Sequence, residues 1–215
     1  MSPPPSEAPV LAPALRLDAA ALRQRLADPD SVPRDRPSPQ EDLDRAARAG
    51  GRIVQAAVLV PLVVHPEPTV LLTLRSARLS SHAGQVSFPG GRMEAGETPE
   101  EAALREAEEE VGLDPGLPEL VGRLPSVLTG TGYLVTPVVA LLRPPFGLRH
   151  DPAEVEEPFE YPLARLLDPA APERRRQEFR GRIREFWVWP HERHYIWGAT
   201  ASMLVTLAAV LRGRG

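Results

Sequence analysis

Hydrophobic positions along the chain fall into short segments of two kinds, strand-like and helix-like. Runs rich in branched apolar residues and bounded by Pro or Gly are typical of strands. Such runs occupy residues 52–64, 69–75, 117–125, 133–145, 182–190 and 193–197. Apolar residues at helical spacing predict helices at residues 17–26, 162–168 and 197–213. Together these segments predict an α/β fold with a mixed sheet flanked by helices.

A change in composition near Arg52 predicts a domain boundary. Residues 1–51 are rich in Pro and polar residues apart from one short helix, and we interpret them as an N-terminal extension. Residues 52–215 carry the remaining signals and are predicted to form one domain, since a chain of 215 residues is long enough for a single sizeable core. Pro137 predicts an edge or bulge position for its strand because proline cannot donate a backbone hydrogen bond.

Composition and charge narrow the choice of partners. The formal net charge is −4 and there is no basic block, so we expect no nucleic-acid partner. The chain has no cysteine, which excludes disulfides and cysteine-ligated metals. Its longest apolar runs are shorter than the roughly 18–20 residues that span a bilayer, and no secretory signal is visible. A cytoplasmic protein with no membrane partner is therefore expected.

A strongly acidic helix is predicted at residues 99–111. Thr98 can cap its start, Pro99 suits the first helical position because no N–H is needed there, and Glu101 completes a capping box. Gly112 supplies the left-handed residue that commonly ends a helix. The helix is therefore bounded on both sides by residues with a defined physical role.

Three glutamates of this helix are expected to converge beside its apolar face. At helical spacing Glu106, Glu109 and Glu110 lie within an arc of about 100°. Like charges one turn apart repel by about 0.2–0.5 kcal/mol per pair, and anions oppose the negative end of the helix dipole. A bound Mg²⁺ or Mn²⁺ would compensate, because hard cations take oxygen ligands. The alternative is a solvated acidic surface, and helix geometry leaves both open.

The segment from residue 91 to residue 113 resembles the Nudix box, the signature of hydrolases that split a nucleoside diphosphate linked to another moiety. The resemblance implies a Nudix-type α/β/α sandwich with a mixed β-sheet and a loop–helix–loop catalytic motif. The likeness to one branch of this family extends over roughly residues 52–210. The matching positions are Gly91, Glu97, Arg105, Glu106, Ala107, Glu108, Glu109, Glu110, Val111, Gly112 and Leu113.

The resemblance also implies a division of roles within the box. The cofactor would be Mg²⁺ or Mn²⁺, which would neutralise the diphosphate and activate a water molecule. Glu97 and Arg105 would form an ion pair that supports the loop. The implied metal ligands are Gly91, Glu106, Glu109 and Glu110.

The resemblance leaves two alternatives for the general base, one in the box and one in a later loop. Within the box, Glu109 and Glu110 are candidates. Outside it, the segment at residues 151–163 is predicted to be a loop, and it offers Glu154 and Glu157. Glu109, Glu110 and Glu154 are therefore the candidate catalytic residues.

Residues 71–91, LLTLRSARLSSHAGQVSFPGG, resemble the motif of the coenzyme A pyrophosphatase branch of the same family. The implied reaction cleaves CoA or an acyl-CoA to adenosine 3′,5′-bisphosphate and 4′-phosphopantetheine or its acyl form. One position departs from the pattern, because Ser80 stands where an arginine is expected, although Arg78 lies close by. The matching positions are Leu71, Leu72, Thr73, Arg75, Ser76, Gly84, Phe88, Pro89, Gly90 and Gly91.

Five residues of this stretch are candidates for binding the substrate. Arg75 and Arg78 could hold phosphates, since guanidinium groups match phosphate geometry. His82 could donate a hydrogen bond to a phosphate or be structural. Phe88 is expected to pack the loop rather than stack on adenine. Gly90 permits a tight turn whose backbone approaches the diphosphate.

Two other functions are compatible with the same residues. A Nudix hydrolase of ADP-ribose, NADH or a dNTP is favoured by the Ser80 departure. A non-catalytic nucleotide-binding module would be favoured by loss of a box carboxylate, and none is lost. Homodimerisation is compatible with the sequence, although no surface patch argues for it.

Overall fold

The computed structural model describes residues 17–28, 31, 53–179 and 182–213, and the rest of the predicted N-terminal extension lies outside these ranges. Within the described residues, no helix is long and apolar enough to span a membrane. The predicted helices agree with the observed ones to within two residues at each end. The helices are α1 (Ala19–Ala27), α2 (Pro99–Val111), α3 (Leu163–Leu166) and α4 (Gly198–Arg212).

Two sheets contain the described strands. The main, mixed sheet comprises β1 (Val54–Val63), β2 (Thr69–Arg75), β3 (Val86–Ser87), β4 (Gly90–Arg92), β5 (Glu119–Arg123), β6 (Val127–Leu128), β7 (Tyr133–Leu142) and β8 (Val155–Pro162). The second, antiparallel sheet comprises β9 (Glu173–Phe179), β10 (Arg182–Trp189) and β11 (Ile196–Trp197).

Strand β1 organises the main sheet. It runs parallel to β7 along its whole length and pairs antiparallel with β2 at one end and β4 at the other. Strand β2 in turn pairs with β3 and β8, and β7 pairs with β5 and β6. This arrangement brings β4, which opens the predicted Nudix box, against the centre of the sheet.

Each face of the main sheet buries its own apolar cluster. Along β1, Ala57 and Leu59 belong to the cluster covered by α2, whereas Val58 and Val60 belong to the cluster covered by α1 and α4. This alternation follows from the two-residue period of a strand. The sheet therefore lies between helices on both sides, which confirms the predicted α/β/α sandwich.

Five observed strands were absent from the sequence-based prediction: the short strands β3, β4 and β6, of two or three residues each, and the longer strands β8 and β9. The segment that contains β8 was expected to be a loop, and β9 was not predicted as regular structure. Both consist largely of charged residues and prolines, so neither shows the apolar run that indicates a buried strand. Instead, β8 is held by backbone pairing with β2, and β9 by backbone pairing with β10.

Pro137 was expected at an edge or a bulge. The edge position is wrong, because β7 is an interior strand, and the register shift in the neighbouring β5 lies opposite Ala140 and Val139. Pro137 lies opposite Val58 of β1, and on its other side the neighbouring strand changes from β5 to β6. Its carbonyl oxygen accepts a hydrogen bond from Leu124 N–H at 2.9 Å, so its missing N–H faces this break. The sheet therefore accommodates the proline where the ladder is already interrupted.

The predicted boundaries of α2 are confirmed. The Thr98 side chain accepts from Glu101 N–H while the Glu101 carboxylate accepts from Thr98 N–H, which completes the capping box. Pro99 occupies the first helical position, and Gly112 ends the helix at φ 65°. These caps set where α2 begins and ends, and the burial of its alanines sets which way its glutamates face.

Candidate active site

Helix α2 presents its three glutamates at different depths. Its alanines are buried against β1 and β4, and the glutamates lie at the rim of that buried face. The side chain of Glu110 is 2% exposed, that of Glu106 is 16% exposed and that of Glu109 is 59% exposed. The three glutamates therefore lie at different depths, and Glu109 is the most exposed of them.

The carboxylate of Glu110 is held from two directions. Gly90 N–H donates to Oε2 at 3.0 Å, and Arg75 Nη1 donates to Oε1 at 3.1 Å. Burial raises the pKa of Glu110 to about 7; the Gly90 N–H and the Arg75 charge oppose this rise, and the charges of Glu106 and Glu154 add to it. A buried carboxylate thus sits between the glycine turn and the end of β2.

Glu106 lies directly against the backbone of Gly91. A Cβ atom on residue 91 would overlap the Glu106 carboxylate, so glycine is required for this close approach. Burial raises the pKa of Glu106; hydrogen bonding to Arg105 opposes the rise, and the charges of Glu109 and Glu154 add to it. The glycine turn therefore contacts both the buried Glu110 and the partly buried Glu106.

Arg105 ties the loop before α2 to the helix. Its Nε and Nη2 donate to the two oxygens of Glu97 at 2.7 and 3.1 Å, and Nη2 also donates to the carbonyl of Arg92 at 3.0 Å. Its Nη1 donates to Glu106 at 2.9 Å and to Glu109 at 3.1 Å. The expected Glu97–Arg105 ion pair is thus present, and Arg105 also offsets the charge of two further glutamates.

Glu154 approaches the same carboxylates from another loop. Asp151 N–H donates to the carbonyl of Glu110 at 3.0 Å, Glu154 N–H donates to the carbonyl of Asp151 at 3.0 Å, and Ser76 N–H donates to the carbonyl of Glu154 at 2.8 Å. The Glu154 side chain is exposed. Its charge raises the pKa of both Glu106 and Glu110, so the Glu154 carboxylate lies close enough to interact with both.

The other loop candidate for the base lies elsewhere. Glu157 is in β8, where it accepts from Arg193 at 3.1 Å and lies 3.6 Å from His194 Nε2. Asp151, in contrast, was not singled out from the sequence. Its carboxylate accepts from Ala153 N–H at 2.8 Å, as in an Asx turn, and the Asp-Pro pair that begins this loop is a local signal for it.

The predicted substrate-binding residues divide into two groups. Arg75 points inward to Glu110, whereas Arg78 and His82 are exposed on the loop at residues 76–85. His82 adopts φ 57°, unusual for a residue other than glycine, and its Nδ1 lies 3.0 Å from Gln85 Oε1. This loop therefore presents two polar side chains to solvent from a constrained backbone.

Phe88 and Gly90 are placed by packing. Phe88 is 1% exposed and lies in the core cluster beneath the sheet, so it packs and offers no surface for stacking. Gly90 has φ 152°, and a Cβ atom there would overlap the backbone of Ala57 and Val58. The backbone of residue 90 can therefore direct its N–H at Glu110 only as glycine.

The chemistry of the carboxylates fits a hard divalent cation. Glu106 and Glu110 both experience the negative charge of Glu154, and Glu110 also experiences that of Glu106; a cation would relieve this repulsion. Among the described residues, however, no three Asp, Glu or His side chains converge closely enough to hold an ion, since Arg105 and Arg75 occupy carboxylate oxygens. Glu106 and Glu109 would exchange contacts with Arg105 for metal contacts on binding, whereas each oxygen of Glu110 keeps a second lone pair besides the one that its donor uses.

The fold and the site define the class of protein. Residues 54–180 match the family model described as the NUDIX domain. The chain therefore belongs to the Nudix family. Its acidic loop–helix–loop occupies the part of the domain where β4 and α2 meet.

A relative from Escherichia coli supports the same family. "Uncharacterized Nudix hydrolase NudL" of Escherichia coli O6:H1 is 44% identical over 155 residues, which covers 72% of this chain and 81% of the relative; its counterpart in strain K12 gives the same values. Among solved structures, the Nudix hydrolase RenU from M. smegmatis is 26% identical, with 54% of this chain and 74% of that chain covered and a TM-score of 0.44.

Replacing Gly91 with alanine tests the contact between the glycine turn and Glu106. We expect Gly91→Ala to lower kcat for the hydrolysed substrate by at least about tenfold, equivalent to about 1.4 kcal/mol, because the new methyl group displaces the Glu106 carboxylate. The free energy of unfolding should change little, since the displaced group is the end of a flexible side chain. Steady-state kinetics and urea unfolding measure the two effects.

Gly147→Ala is the matched control, because residue 147 has open space around its Cβ position. That variant should retain both kcat and stability. Full activity of Gly91→Ala would contradict the role assigned to this close approach.

Proposed function

We propose that this protein is a metal-dependent hydrolase that cleaves the diphosphate of coenzyme A and acyl-CoA. The products would be adenosine 3′,5′-bisphosphate and 4′-phosphopantetheine or its acyl form. The observation that carries this proposal is the contact between two sequence motifs. The CoA-type motif at residues 71–91 contacts the box glutamate Glu110 through Arg75 and through the N–H of Gly90.

The carboxylates of α2 supply the metal-binding part of the proposed site. Glu106, Glu109 and Glu110, with the backbone of Gly91, would hold a Mg²⁺ or Mn²⁺ ion. When bound, that ion neutralises the diphosphate and lowers the pKa of water. Buried carboxylates that repel one another and a glycine turn that approaches them closely support this assignment.

Exposed carboxylates are the candidates for moving the proton. In the proposed reaction a water oxygen forms a bond to phosphorus, the bridging P–O bond breaks, and a carboxylate accepts the proton of the water. Glu109 and Glu154 are exposed next to the buried glutamates, so either could reach a water there. We favour Glu109, because it lies on the rigid helix; Glu110 is less suited, since both its oxygens are already engaged.

The loop at residues 76–85 would bind the nucleotide end of the substrate. CoA carries a 3′-phosphate in addition to its diphosphate, and Arg78 and His82 offer one cation and one hydrogen-bonding ring on this exposed loop. Arg78 lies two residues from Ser80, where the CoA-type pattern has arginine. We propose that Arg78 takes over that role.

A second candidate is a Nudix hydrolase acting on ADP-ribose, NADH or a dNTP, and Ser80 is the observation that favours it. A non-catalytic nucleotide-binding module is the third candidate, although every box carboxylate is present. A cytoplasmic location is part of the proposal. The state of assembly, including a homodimer, stays a prediction.

A substrate panel separates these candidates. The purified protein is incubated with CoA, acyl-CoAs, dephospho-CoA, NADH, ADP-ribose and dNTPs, with Mg²⁺, with Mn²⁺ or with EDTA, and the products are separated by chromatography. We expect metal-dependent cleavage of CoA and acyl-CoA at the diphosphate, with the highest kcat/KM for compounds that carry the pantetheine arm. Preference for a nucleotide without that arm would reject the CoA assignment, and no turnover with any metal would favour the binding module.

Two neighbouring glutamates test the choice of base. Glu108 and Glu109 are both exposed on α2, but only Glu109 belongs to the proposed metal-binding and catalytic set. We expect Glu109→Gln to lower kcat by about 100-fold or more, in the range typical of general acid–base catalysis, and Glu108→Gln to leave it unchanged. Thermal unfolding should show similar midpoints for both variants. A parallel loss of stability and activity in Glu109→Gln would show that the residue is structural.

A further inference from the structure

Arg75 is the one residue of the CoA-type motif whose side chain reaches a box glutamate. Its Nη1 donates to Glu110 Oε1 at 3.1 Å, and the arginine side chain is 21% exposed beside a carboxylate that is 2% exposed. The second oxygen of Glu110 accepts from Gly90 N–H at 3.0 Å. Two donors from different strands therefore determine the orientation of one carboxylate.

The backbone of Arg75 is itself constrained on several sides. Arg75 N–H donates to the carbonyl of Gln85 at 2.9 Å, and Gly84 N–H donates to the carbonyl of Arg75 at 3.1 Å, so these bonds close the loop at residues 76–85. The adjacent Ser76 N–H donates to the carbonyl of Glu154 at 2.8 Å. Arg75 thus occupies the point where this loop, the Glu154 loop and α2 meet.

This placement differs from that of the other candidate phosphate-binding residues. Arg78 and His82 are exposed and can meet a ligand without breaking a contact to Glu110. If Arg75 turned to a substrate phosphate, it would leave Glu110 buried with a single donor. An uncompensated buried charge is strongly unfavourable, so the inward contact is the more stable role for this guanidinium.

We propose that Arg75 is a positioning residue that holds the Glu110 carboxylate in its working orientation, and that it does not bind a substrate phosphate. The inference rests on the proposed hydrolytic function of this site but not on the identity of the diphosphate substrate. Loss of the guanidinium leaves Glu110 free to rotate, so turnover falls for every substrate. Substrate phosphates lose no contact, so KM is retained.

Kinetics of arginine variants test this role. We expect Arg75→Gln to lower kcat by at least about tenfold on every substrate that the wild type hydrolyses, with KM within about threefold, because a group that acts through another changes turnover rather than uniform binding. Arg75→Lys should recover part of the loss, since it keeps the positive charge. Arg78→Gln should raise KM, and Arg143→Gln, which removes a surface pair with Glu119, should change neither constant.

A rise of about tenfold or more in KM of Arg75→Gln with kcat retained would overturn the proposal and make Arg75 a substrate-binding residue. The same would follow if the loss were confined to substrates that carry a 3′-phosphate, which the comparison of CoA with dephospho-CoA reveals.

A second measurement does not depend on activity. Urea unfolding is compared for the wild type, Arg75→Gln, Glu110→Gln and the double variant in metal-free buffer. We expect Arg75→Gln to lower the urea midpoint when residue 110 is glutamate. When residue 110 is glutamine, the same substitution should shift the midpoint by less than about half that amount, because residues in contact are energetically coupled. Equal shifts in both backgrounds would overturn the proposal. If the wild type hydrolyses no compound of the panel, the proposed function fails. The unfolding comparison of the four proteins still decides whether Arg75 holds Glu110.

Discussion

The whole candidate site depends on one constraint, the burial of the Glu110 carboxylate at the end of α2. A carboxylate that is 2% exposed needs donors within the protein, because a buried charge without partners is strongly unfavourable. Gly90 and Arg75 supply those donors, so the glycine turn and the end of β2 must both meet the helix. The hydrogen bonds to this one side chain thus bring together three separate segments of the chain: the glycine turn, the end of β2 and helix α2.

The same burial creates an electrostatic cost at this point of the fold. The charges of Glu106 and Glu154 raise the pKa of Glu110, the charges of Glu109 and Glu154 raise that of Glu106, and Arg105 and Arg75 offset only part of this effect. Sites that concentrate like charge in this way are typical of function rather than of stability. In the proposed function a divalent cation compensates this charge, and the exposed Glu109 and Glu154 are the candidates for proton transfer.

The sequence predicted well those features of the fold that are caused by residues next to them in the chain. Thr98, Pro99 and Gly112 each act on the helix beside them, so the limits of α2 followed from residue type alone. The strand β8 could not be found in that way, because its polar, proline-containing sequence is held by backbone pairing with β2. The same applies to Pro137, which β7 accommodates because its neighbouring strand changes from β5 to β6 at that point.

The contacts of the site followed from sequence only in part. Helical spacing brought Glu106, Glu109 and Glu110 to one side of α2, but it did not indicate how deeply each is buried. The contact between Arg75 and Glu110 joins residues 35 positions apart. Its existence depends on the order of strands in the sheet, which no local pattern indicates. The role that we propose for the arginine from this contact differs from the one that its motif implies.

Binding of Mn²⁺ to the metal-free protein, measured by calorimetry, tests the central claim that the glutamates of α2 form a cation site around Glu110. The account predicts that the wild type binds Mn²⁺ and that Glu110→Gln weakens binding by at least about tenfold, or about 1.4 kcal/mol. Glu160→Gln, which alters a glutamate paired with His65 instead, should bind as the wild type does. Equal affinity in all three proteins would contradict the account.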